Sequence, residues 1–594
     1  MIGRFRKPKP KPTCTPADIS ARPSLVKLDG RMKEAVETGR GRLVFGGMLF
    51  AGVFVVLVGR LAWLTVPASL VSEPSMARGD GGSARGFAPA MERRTITDRN
   101  GTMIATNLRM ASLYADTRQI GNPDETANRL LTVLPDLPRE ELVGRLGSGK
   151  SFVWLKRNLT PRQQYEINRL GLPGLMFQDE ERRLYPLGPL AVHVVGYTDI
   201  DRRGISGIEQ TLDEELRDTA KAGEPLELAL DLRVQHALRD EIGRSVEYFD
   251  AIGGGGLVLD INTGEVLGLV SLPDFDPIRP GTASDEARFN RITLGVYEMG
   301  STMKTINTAM VLENGNAKIN SSYDASRPIV VGRFTIKDDH AKNRWLTVPE
   351  IYKYSSNIGS AKMAVEAGPA VQRAFLDRLG LLKKAQIELP EVGAPLVPRN
   401  WKTVETMTIS FGHGLSISPL QLGVATAAIA NGGILRPATL LKRPEGVAVP
   451  GTRVVRPDVS DLMRKLMYLV VDEGTGKQAA VDGYLVGGKT GTSEKVGAHG
   501  GYMRKKLMTS FVGVFPLNKP RYLVIGVLDE PKGRKETYGF ATAGWNSAPT
   551  VGRVISRIAP ILGVEPVDDN SPQVQQVMSL GVHAPQSEKK IASN

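Results

Sequence analysis

Ser301 and Lys304 form an S-x-x-K pair at the start of a predicted helix in "YEMGSTMKTINTAMVLENG", residues 297–315. Gly300 stands just before this helix, and Gly315 is a helix-stop signal. Residues three apart lie on the same helix face, so the amine of Lys304 can reach the hydroxyl of Ser301. A lysine acts as the base for a serine nucleophile when burial or a neighbouring cation lowers the pKa of its amine. The pair therefore indicates covalent catalysis at Ser301.

Two further motifs distinguish this pair from the S-x-x-K pairs at Ser24 and Ser587. Ser355 and Asn357 form S-x-N around Ser356 in "YKYSSNIGS". "GGKTGTSEKV" supplies K-T-G. Its candidate substrate-binding residues are Lys489, Thr490, Gly491 and the following Thr492. S-x-x-K, S-D-N and K-T-G together mark active-serine enzymes of the penicillin-interacting type. Serine replaces aspartate at position 356, where we expect the side chain to point away from the site.

The elements that must position these motifs begin near residue 226. "PLELALDLRVQHALRDEIGRSVEYF" predicts a strand followed by a helix, and "GLVLDINTGEVLGLVSL" predicts two strands joined at 262–264. Helices are predicted between 300 and 480. Strands return at 484–492, 507–515 and 521–528, before a helix at 550–562. A sheet begun early, interrupted by helices and completed late predicts an α/β or α+β architecture.

The whole chain of 594 residues is too long for one core. We predict six segments: a basic tail (1–42), a transmembrane anchor (43–66), a linker (67–92), a mixed α/β module (93–225), the larger module with the three motifs (226–562) and a disordered C-terminal tail (563–594).

The distribution of charge favours a membrane over a nucleic acid as the partner. The net charge is +13, and residues 1–42 hold eleven Lys or Arg against four acidic residues. This basic tail precedes the apolar stretch "LVFGGMLFAGVFVVLVGRLAWLTV" at 43–66, which is long enough to cross a bilayer. The positive-inside rule then predicts a cytoplasmic N-terminus and an external C-terminal part. A cleaved signal peptide is the alternative, with "VPA" at 66–68 as its cleavage site.

Composition also argues against metal and cofactor chemistry. Cys14 is the only cysteine, and the six histidines show no H-x-x-x-H pairing. "GRLGSGKS", residues 144–151, matches the phosphate-loop pattern letter for letter. A phosphate loop follows a strand and opens a helix, whereas here a predicted helix (137–146) precedes a predicted strand (151–159). We therefore predict no nucleotide, no nucleic acid, no metal and no cofactor, and we assign Lys150 to the surface.

The three motifs, in their order and spacing, resemble those of class B penicillin-binding proteins, most closely the cell-division (septal) transpeptidases. The resemblance covers roughly residues 93–562 plus the anchor. It includes "RRTITDRNGTMIATN", "RRLYPLGPLAVHVVGYT" and "GISGIEQTLDEEL", which look like motifs of the family's non-catalytic pedestal module. "SFGHGLSISPLQLGVATAAIANGG" and "EGTGKQAAVDGYLVGGKTGT" resemble its transpeptidase landmarks. The implied fold is a transpeptidase domain with an antiparallel sheet flanked by helices.

The resemblance implies a role for each motif residue. Ser301 would attack the penultimate D-Ala carbonyl of a donor stem peptide, with neutral Lys304 as its base. The backbone N–H groups of Ser301 and Thr492 would form the oxyanion hole. Ser355 and Asn357 would relay a proton and hold the substrate amide. Lys489, with the hydroxyls of Thr490 and Thr492, would bind the terminal carboxylate, and Gly491 would leave room for the substrate backbone.

The implied function is a peptidoglycan D,D-transpeptidase of septal cell-wall synthesis, inhibited by β-lactams, in the inner membrane with a periplasmic catalytic domain. The implied partners are a polytopic glycan polymerase and other division proteins. An elongation-type transpeptidase is the nearest alternative, and a D,D-carboxypeptidase or β-lactamase-like hydrolase is more distant. A bifunctional polymerase is excluded because 93–225 lacks the glycosyltransferase motif. A sensor role would need a cytoplasmic signalling domain or a broken triad.

Overall fold

The computed structural model describes residues 93–580, except 333, 498–500 and 569–570, together with Met48, Ala51, Gly52 and Phe54. The chain divides into two compact units, residues 1–87 and 88–594. In the part of the chain that is described, no helix is long and apolar enough to cross a membrane. The predicted tail, anchor and linker lie almost wholly outside the described residues, so they stay predictions.

The pedestal module opens the second unit with five strands and six short helices. Its strands are β1 (Ile96–Thr97), β2 (Met103–Ala115), β3 (Val153–Leu159), β4 (Leu175–Leu184) and β5 (Leu226–Glu227). Its helices are α1 (Pro123–Leu131), α2 (Arg139–Leu146), α3 (Pro161–Arg169), α4 (Val192–Val195), α5 (Gly207–Thr211) and α6 (Asp213–Leu216).

The long strand β2 organises the pedestal sheet. Strands β1, β3 and β4 each pair with it antiparallel, and β5 pairs parallel with β1. Apolar side chains of the first three helices and of this sheet form a separate small core, which includes Leu130, Leu142 and Leu155. The helix α2 precedes the strand β3, as predicted, and the exposed Lys150 lies in the turn between them. The order of elements at "GRLGSGKS" therefore contradicts a phosphate loop.

Buried ion pairs join separate charged segments of the pedestal. The carboxylate of Glu209 is fully buried and accepts from Arg93 at 2.6 Å and from Arg183 at 2.7 Å. Arg93 also binds Asp213 at 2.7 Å. Removing one member would leave an uncompensated buried charge, which costs about 3–5 kcal/mol.

The larger module has the remaining strands and helices. The strands are β6 (Gly253–Asp260), β7 (Val266–Leu272), β8 (Tyr297–Glu298), β9 (Ser322–Asp324), β10 (Ile329–Val331), β11 (Phe334–Ile336), β12 (Trp345–Thr347), β13 (Ser416–Ile417), β14 (Ile434–Leu435), β15 (Thr452–Arg453), β16 (Gly487–Val496), β17 (Tyr502–Phe515) and β18 (Tyr522–Asp529). The helices are α7 (Leu232–Tyr248), α8 (Asp285–Arg288), α9 (Met303–Glu313), α10 (Val348–Lys353), α11 (Asn357–Ala367), α12 (Pro369–Arg378), α13 (Thr403–Ile409), α14 (Pro419–Ala430), α15 (Pro457–Asp472), α16 (Ser547–Ile561) and α17 (Pro572–Met578).

Five of these strands form the predicted antiparallel sheet, in the order β16-β17-β18-β6-β7. Side chains alternate between its two faces, and both faces are buried. Leu257 and Ile525 belong to the core that includes α9, α14 and α15. Val258 and Val524 belong to the opposite core, which includes α7 and α16. The predicted α/β (α+β) architecture is confirmed for the described residues, and the sheet presents its edge strand β16 to the start of α9.

The C-terminal segment differs from the prediction of disorder after residue 563. Helix α17 (Pro572–Met578) begins at the cap residue Ser571, whose hydroxyl accepts from the N–H of Val574. Met578 is only 6% exposed and belongs to the larger core. The polar composition of this segment led to the prediction of disorder, although a few apolar side chains pack this helix against the core. Residues 581–594 lie outside the described part.

Candidate active site

Ser301 lies in a 3-10 turn, Gly300–Thr302, that leads directly into α9. Gly300 has a φ of 55°, and a Cβ atom there would lie 2.6 Å from the carbonyl oxygen of Thr492. Only glycine allows this approach, because a side chain would meet the backbone of β16. The backbone just before Ser301 is thereby held against Thr492.

The amine of Lys304 is the centre of the site. Its Nζ lies 2.9 Å from Ser301 Oγ, 2.6 Å from the carbonyl oxygen of Ser355, 3.1 Å from Ser355 Oγ and 2.7 Å from Asn357 Oδ1. Lys304 is only 1% exposed. The structure thus brings together four predicted residues that are up to 56 positions apart in the chain (301 to 357).

The chemistry of these four contacts suits a neutral amine. The carbonyl of Ser355 and the Oδ1 of Asn357 can only accept hydrogen bonds. The Asn357 amide is oriented because its Nδ2 donates to the carbonyl of Lys337 at 3.0 Å. A neutral amine has two N–H groups, which these two acceptors use. Its lone pair is then left for the hydroxyl of Ser301 or of Ser355.

Burial favours this neutral form. It lowers the pKa of Lys304 to about 7, while the charges of Asp338 and Asp339 act in the opposite direction. Burial and the nearby Lys304 lower the pKa of Lys489 well below its usual value. Lys489 Nζ lies 3.0 Å from Ser355 Oγ, so the same hydroxyl contacts both amines. Protonation of one amine therefore disfavours protonation of the other, because the two positive charges repel.

Ser355 adopts a left-handed conformation, with a φ of 59°. Such a backbone is costly for a residue other than glycine and is found disproportionately at functional sites. It turns the Ser355 carbonyl towards Lys304 and its hydroxyl into the space between Lys304 and Lys489.

The side chain of Ser356 points away from Lys304, as the sequence predicted. Its hydroxyl donates to Asp338 at 2.7 Å and accepts from the N–H of Gly359 at 3.0 Å, which caps helix α11. Asp338 also accepts from the backbone N–H of Asn357 at 2.6 Å and of Ile358 at 2.9 Å. Asp338 thus fixes the start of α11. No sequence motif indicates Asp338, since it lies in a loop outside the three motifs.

The K-T-G-T segment lies in the edge strand β16. Thr490 Oγ1 lies 2.7 Å from Thr475 Oγ1, and Thr492 Oγ1 accepts from the N–H of Ala543 at 3.0 Å. The bond from Ala543 leaves the O–H proton of Thr492 able to donate to a ligand. Lys489 is 1% exposed, so its amine is buried rather than at the surface.

The structure shows a packing requirement for glycine at position 491. A Cβ atom there would lie 2.5 Å from the carbonyl oxygen of Met299, 2.7 Å from Ser510 Oγ and 2.8 Å from Thr302 Cγ2. The missing side chain therefore makes room for the turn that carries Ser301, which packs against the strand. Room for a substrate backbone at Gly491 stays a prediction.

The fold and the site together define an active-serine acyl-transfer enzyme with an accessory α/β module. Comparison with known proteins specifies the class further. The "Penicillin binding protein transpeptidase domain" matches residues 254–549, and the "Penicillin-binding Protein dimerisation domain" matches residues 89–224. The predicted module boundaries, 93–225 and 226–562, remain predictions.

Two relatives agree with this assignment, and one solved structure shares the fold. The chain is 42% identical to the probable peptidoglycan D,D-transpeptidase FtsI of Caulobacter vibrioides, over 82% of this chain and 84% of that one. It is 31% identical to the peptidoglycan D,D-transpeptidase FtsI of Escherichia coli K12, over 89% and 92% respectively. A peptidoglycan synthetase from Bifidobacterium adolescentis has the same fold, with a TM-score of 0.64 and 22% identity over 82% of this chain and 98% of that one. The chain belongs to the class B penicillin-binding protein family of peptidoglycan D,D-transpeptidases.

Proposed function

We propose that this protein is a septal peptidoglycan D,D-transpeptidase that cross-links stem peptides through an acyl intermediate on Ser301. The observation that carries this proposal is the contact between Ser301 Oγ and the buried amine of Lys304, at 2.9 Å. The names of the relatives, FtsI of two organisms, support the cell-division role over the elongation role.

Acylation begins with attack of Ser301 Oγ on the penultimate D-Ala carbonyl. The hydroxyl proton passes to the lone pair of Lys304 Nζ as the new C–O bond forms. The N–H groups of Ser301 and Thr492 stabilise the oxyanion, a contribution that is typically about 3–4 kcal/mol for one donor. When the C–N bond breaks, the leaving D-Ala nitrogen takes a proton through Ser355 Oγ, which contacts both amines.

The terminal carboxylate of the donor peptide is bound by the Thr492 and Thr490 hydroxyls above Lys489. A negative charge at this position favours the protonated form of Lys489, and that positive charge in turn favours neutral Lys304. Substrate binding therefore helps to create the base. The amine of a second stem peptide then attacks the acyl-serine carbonyl, its proton passes to Lys304, and Ser301 leaves as a restored hydroxyl.

A β-lactam is recognised by the same groups, because it presents a reactive carbonyl and a carboxylate. In a fluorescent-penicillin labelling assay, we expect stoichiometric labelling of the protein and none of Ser301→Ala. Ser151→Ala, which changes an exposed pedestal serine, is the matched control and should label normally. Labelling of Ser301→Ala would refute the assignment of the nucleophile.

The reaction type and the cellular role need separate tests. Incubation with a pentapeptide donor and an amine acceptor should release D-Ala and form the amide product, whereas a hydrolase would give only the free acid. Depletion in cells should give filaments if the role is septal, and round or swollen cells if it is elongation.

We further propose that a segment at 43–66 anchors the protein in the inner membrane with the catalytic domain in the periplasm. A polytopic glycan polymerase and other division proteins would be its partners there.

A further inference from the structure

A hydrogen-bonded cluster of Glu298, His413 and Tyr502 lies beside the nucleophile turn and has no part in the mechanism above. Glu298 ends strand β8, three residues before Ser301. His413 belongs to the loop after α13, and Tyr502 begins strand β17. Three separate parts of the chain therefore meet at one carboxylate.

Both oxygens of the Glu298 carboxylate have partners. Oε1 accepts from the backbone N–H of Gly414 at 2.7 Å, and Oε2 accepts from the hydroxyl of Tyr502 at 3.1 Å. His413 Nδ1 lies 3.0 Å from the same Oε2 and 3.1 Å from the Tyr502 oxygen. Since a carboxylate only accepts, we assign the proton of His413 to Nδ1.

The Glu298 side chain is only 9% exposed, yet among the described residues it forms no ion pair with a lysine or arginine. Its charge therefore depends on the hydrogen bonds from Gly414, Tyr502 and His413. A mostly buried carboxylate that loses a donor keeps the cost of its desolvation, so each of these bonds is expensive to break. Burial and the charge of Glu298 raise the pKa of Tyr502, so its hydroxyl remains a donor.

The cluster joins the hairpin of β16 and β17 to the turn that carries Ser301. Tyr502 is paired with Val496 across the hairpin, and its ring stands edge-on to His413 with centroids 5.4 Å apart. On the other strand, the hydroxyl of Ser493 donates to the carbonyl of Glu298 at 2.5 Å. Both strands of the hairpin are thus bonded to the same residue.

We propose that Glu298, His413 and Tyr502 are positioning residues that set the separation between the Ser301 turn and strand β16. This inference rests on the proposed function, because the two oxyanion donors, Ser301 and Thr492, come from these two elements. Thr492 directly precedes Ser493, and Ser301 follows Glu298 by three residues. An outward movement of the hairpin would pull the Thr492 N–H away from the developing oxyanion. The effect falls on the chemical step and leaves initial binding of the β-lactam almost unchanged.

The test separates these steps by stopped-flow acylation with a fluorescent penicillin, using the full chain. Tyr502→Phe keeps the ring and removes the hydroxyl, and we expect the first-order acylation constant to fall about tenfold with an unchanged dissociation constant. Tyr248→Phe is the matched control. It also removes a tyrosine–glutamate bond, to Glu536 at 3.0 Å, but on the distant helix α7, and it should acylate at the wild-type rate.

A double-mutant cycle tests the shared carboxylate. Glu298→Gln combined with Tyr502→Phe should lose less than the product of the two single effects, while Tyr502→Phe with Tyr248→Phe should be multiplicative. If Tyr502→Phe acylates like the wild type, or is impaired only in the dissociation constant, the inference is wrong. If the wild-type protein itself is not acylated at Ser301, the proposed function fails instead. Tyr502→Phe remains informative even if Glu298→Gln does not fold.

Discussion

Replacing Asp338 by asparagine should move the acidic limb of the acylation rate profile to lower pH. The charge of Asp338 raises the pKa of Lys304, against the larger opposing effect of burial. The variant loses this charge, so the pKa of Lys304 should fall below its value of about 7. The amine of Lys304 then remains neutral to lower pH, so the acidic limb of the rate profile moves to lower pH.

The magnitude follows from the connection between the two groups. Asp338 Oδ1 lies 2.6 Å from the Asn357 nitrogen, and Asn357 Oδ1 lies 2.7 Å from Lys304 Nζ. At a separation of roughly 7 Å and an effective dielectric constant of about 20, Coulomb's law gives about 2.4 kcal/mol, or about 1.7 pKa units. At pH 6, the neutral fraction of Lys304 would rise from about one tenth to about eight tenths.

The substitution preserves most of the local hydrogen bonding. Asparagine keeps the Oδ1 that accepts from the N–H groups of Asn357 and Ile358, and its amide can donate to the Ser356 hydroxyl. The melting temperature should therefore change little, whereas Asp338→Ala should cost about 1–2 kcal/mol, as for the loss of a helix cap.

The assay measures acylation by a fluorescent penicillin between pH 5 and 9, with each profile normalised to its own plateau. Normalisation is needed because a weaker base also lowers the plateau. Asp250→Asn, which removes an exposed aspartate paired with Lys532, is the control and should leave the limb in place. An Asp338→Asn limb that coincides with the wild type would refute the electrostatic reasoning, and so would a shift to higher pH.

Three further changes test other parts of the structure. Gly491→Ala should cost at least about 2 kcal/mol and abolish penicillin labelling, because its Cβ would lie 2.5 Å from the Met299 carbonyl oxygen; thermal unfolding and labelling together check this. Lys489→Met should unfold at the same or a higher temperature, since it removes a buried amine, yet slow labelling by at least about 100-fold through loss of the carboxylate-binding charge. Glu209→Gln should lower the free energy of unfolding by about 3–5 kcal/mol, because Arg93 and Arg183 lose the buried carboxylate that they share, while the folded fraction keeps its labelling rate. A normal melting temperature for Glu209→Gln would contradict the proposed role of that ion pair.

Local geometry made part of the site predictable from the sequence. Residues three apart share a face in a helical turn, so the spacing predicts that Ser301 and Lys304 are close, and their polar atoms lie 2.9 Å apart. The turn signal at 262–264 likewise indicates the hairpin of β6 and β7, and apolar runs indicate strands near β16, β17 and β18, whereas the antiparallel pairing of those three strands is implied only by the family resemblance. The order of the three motifs also determined the class of protein, because these residue types serve one kind of chemistry.

Only the tertiary structure decided how the motifs meet and what their environment does. Ser355 and Lys489 are 134 positions apart, and no local rule predicts that one hydroxyl contacts both buried amines. The pKa of Lys304 depends on burial by distant segments and on Asp338, which belongs to no motif. Likewise, Gly491 was recognised as part of a motif, but the reason for glycine there is the close packing of the Met299 carbonyl. Sequence spacing fixes contacts within an element, whereas contacts between elements, and the desolvation that sets charge states, exist only once the chain has packed.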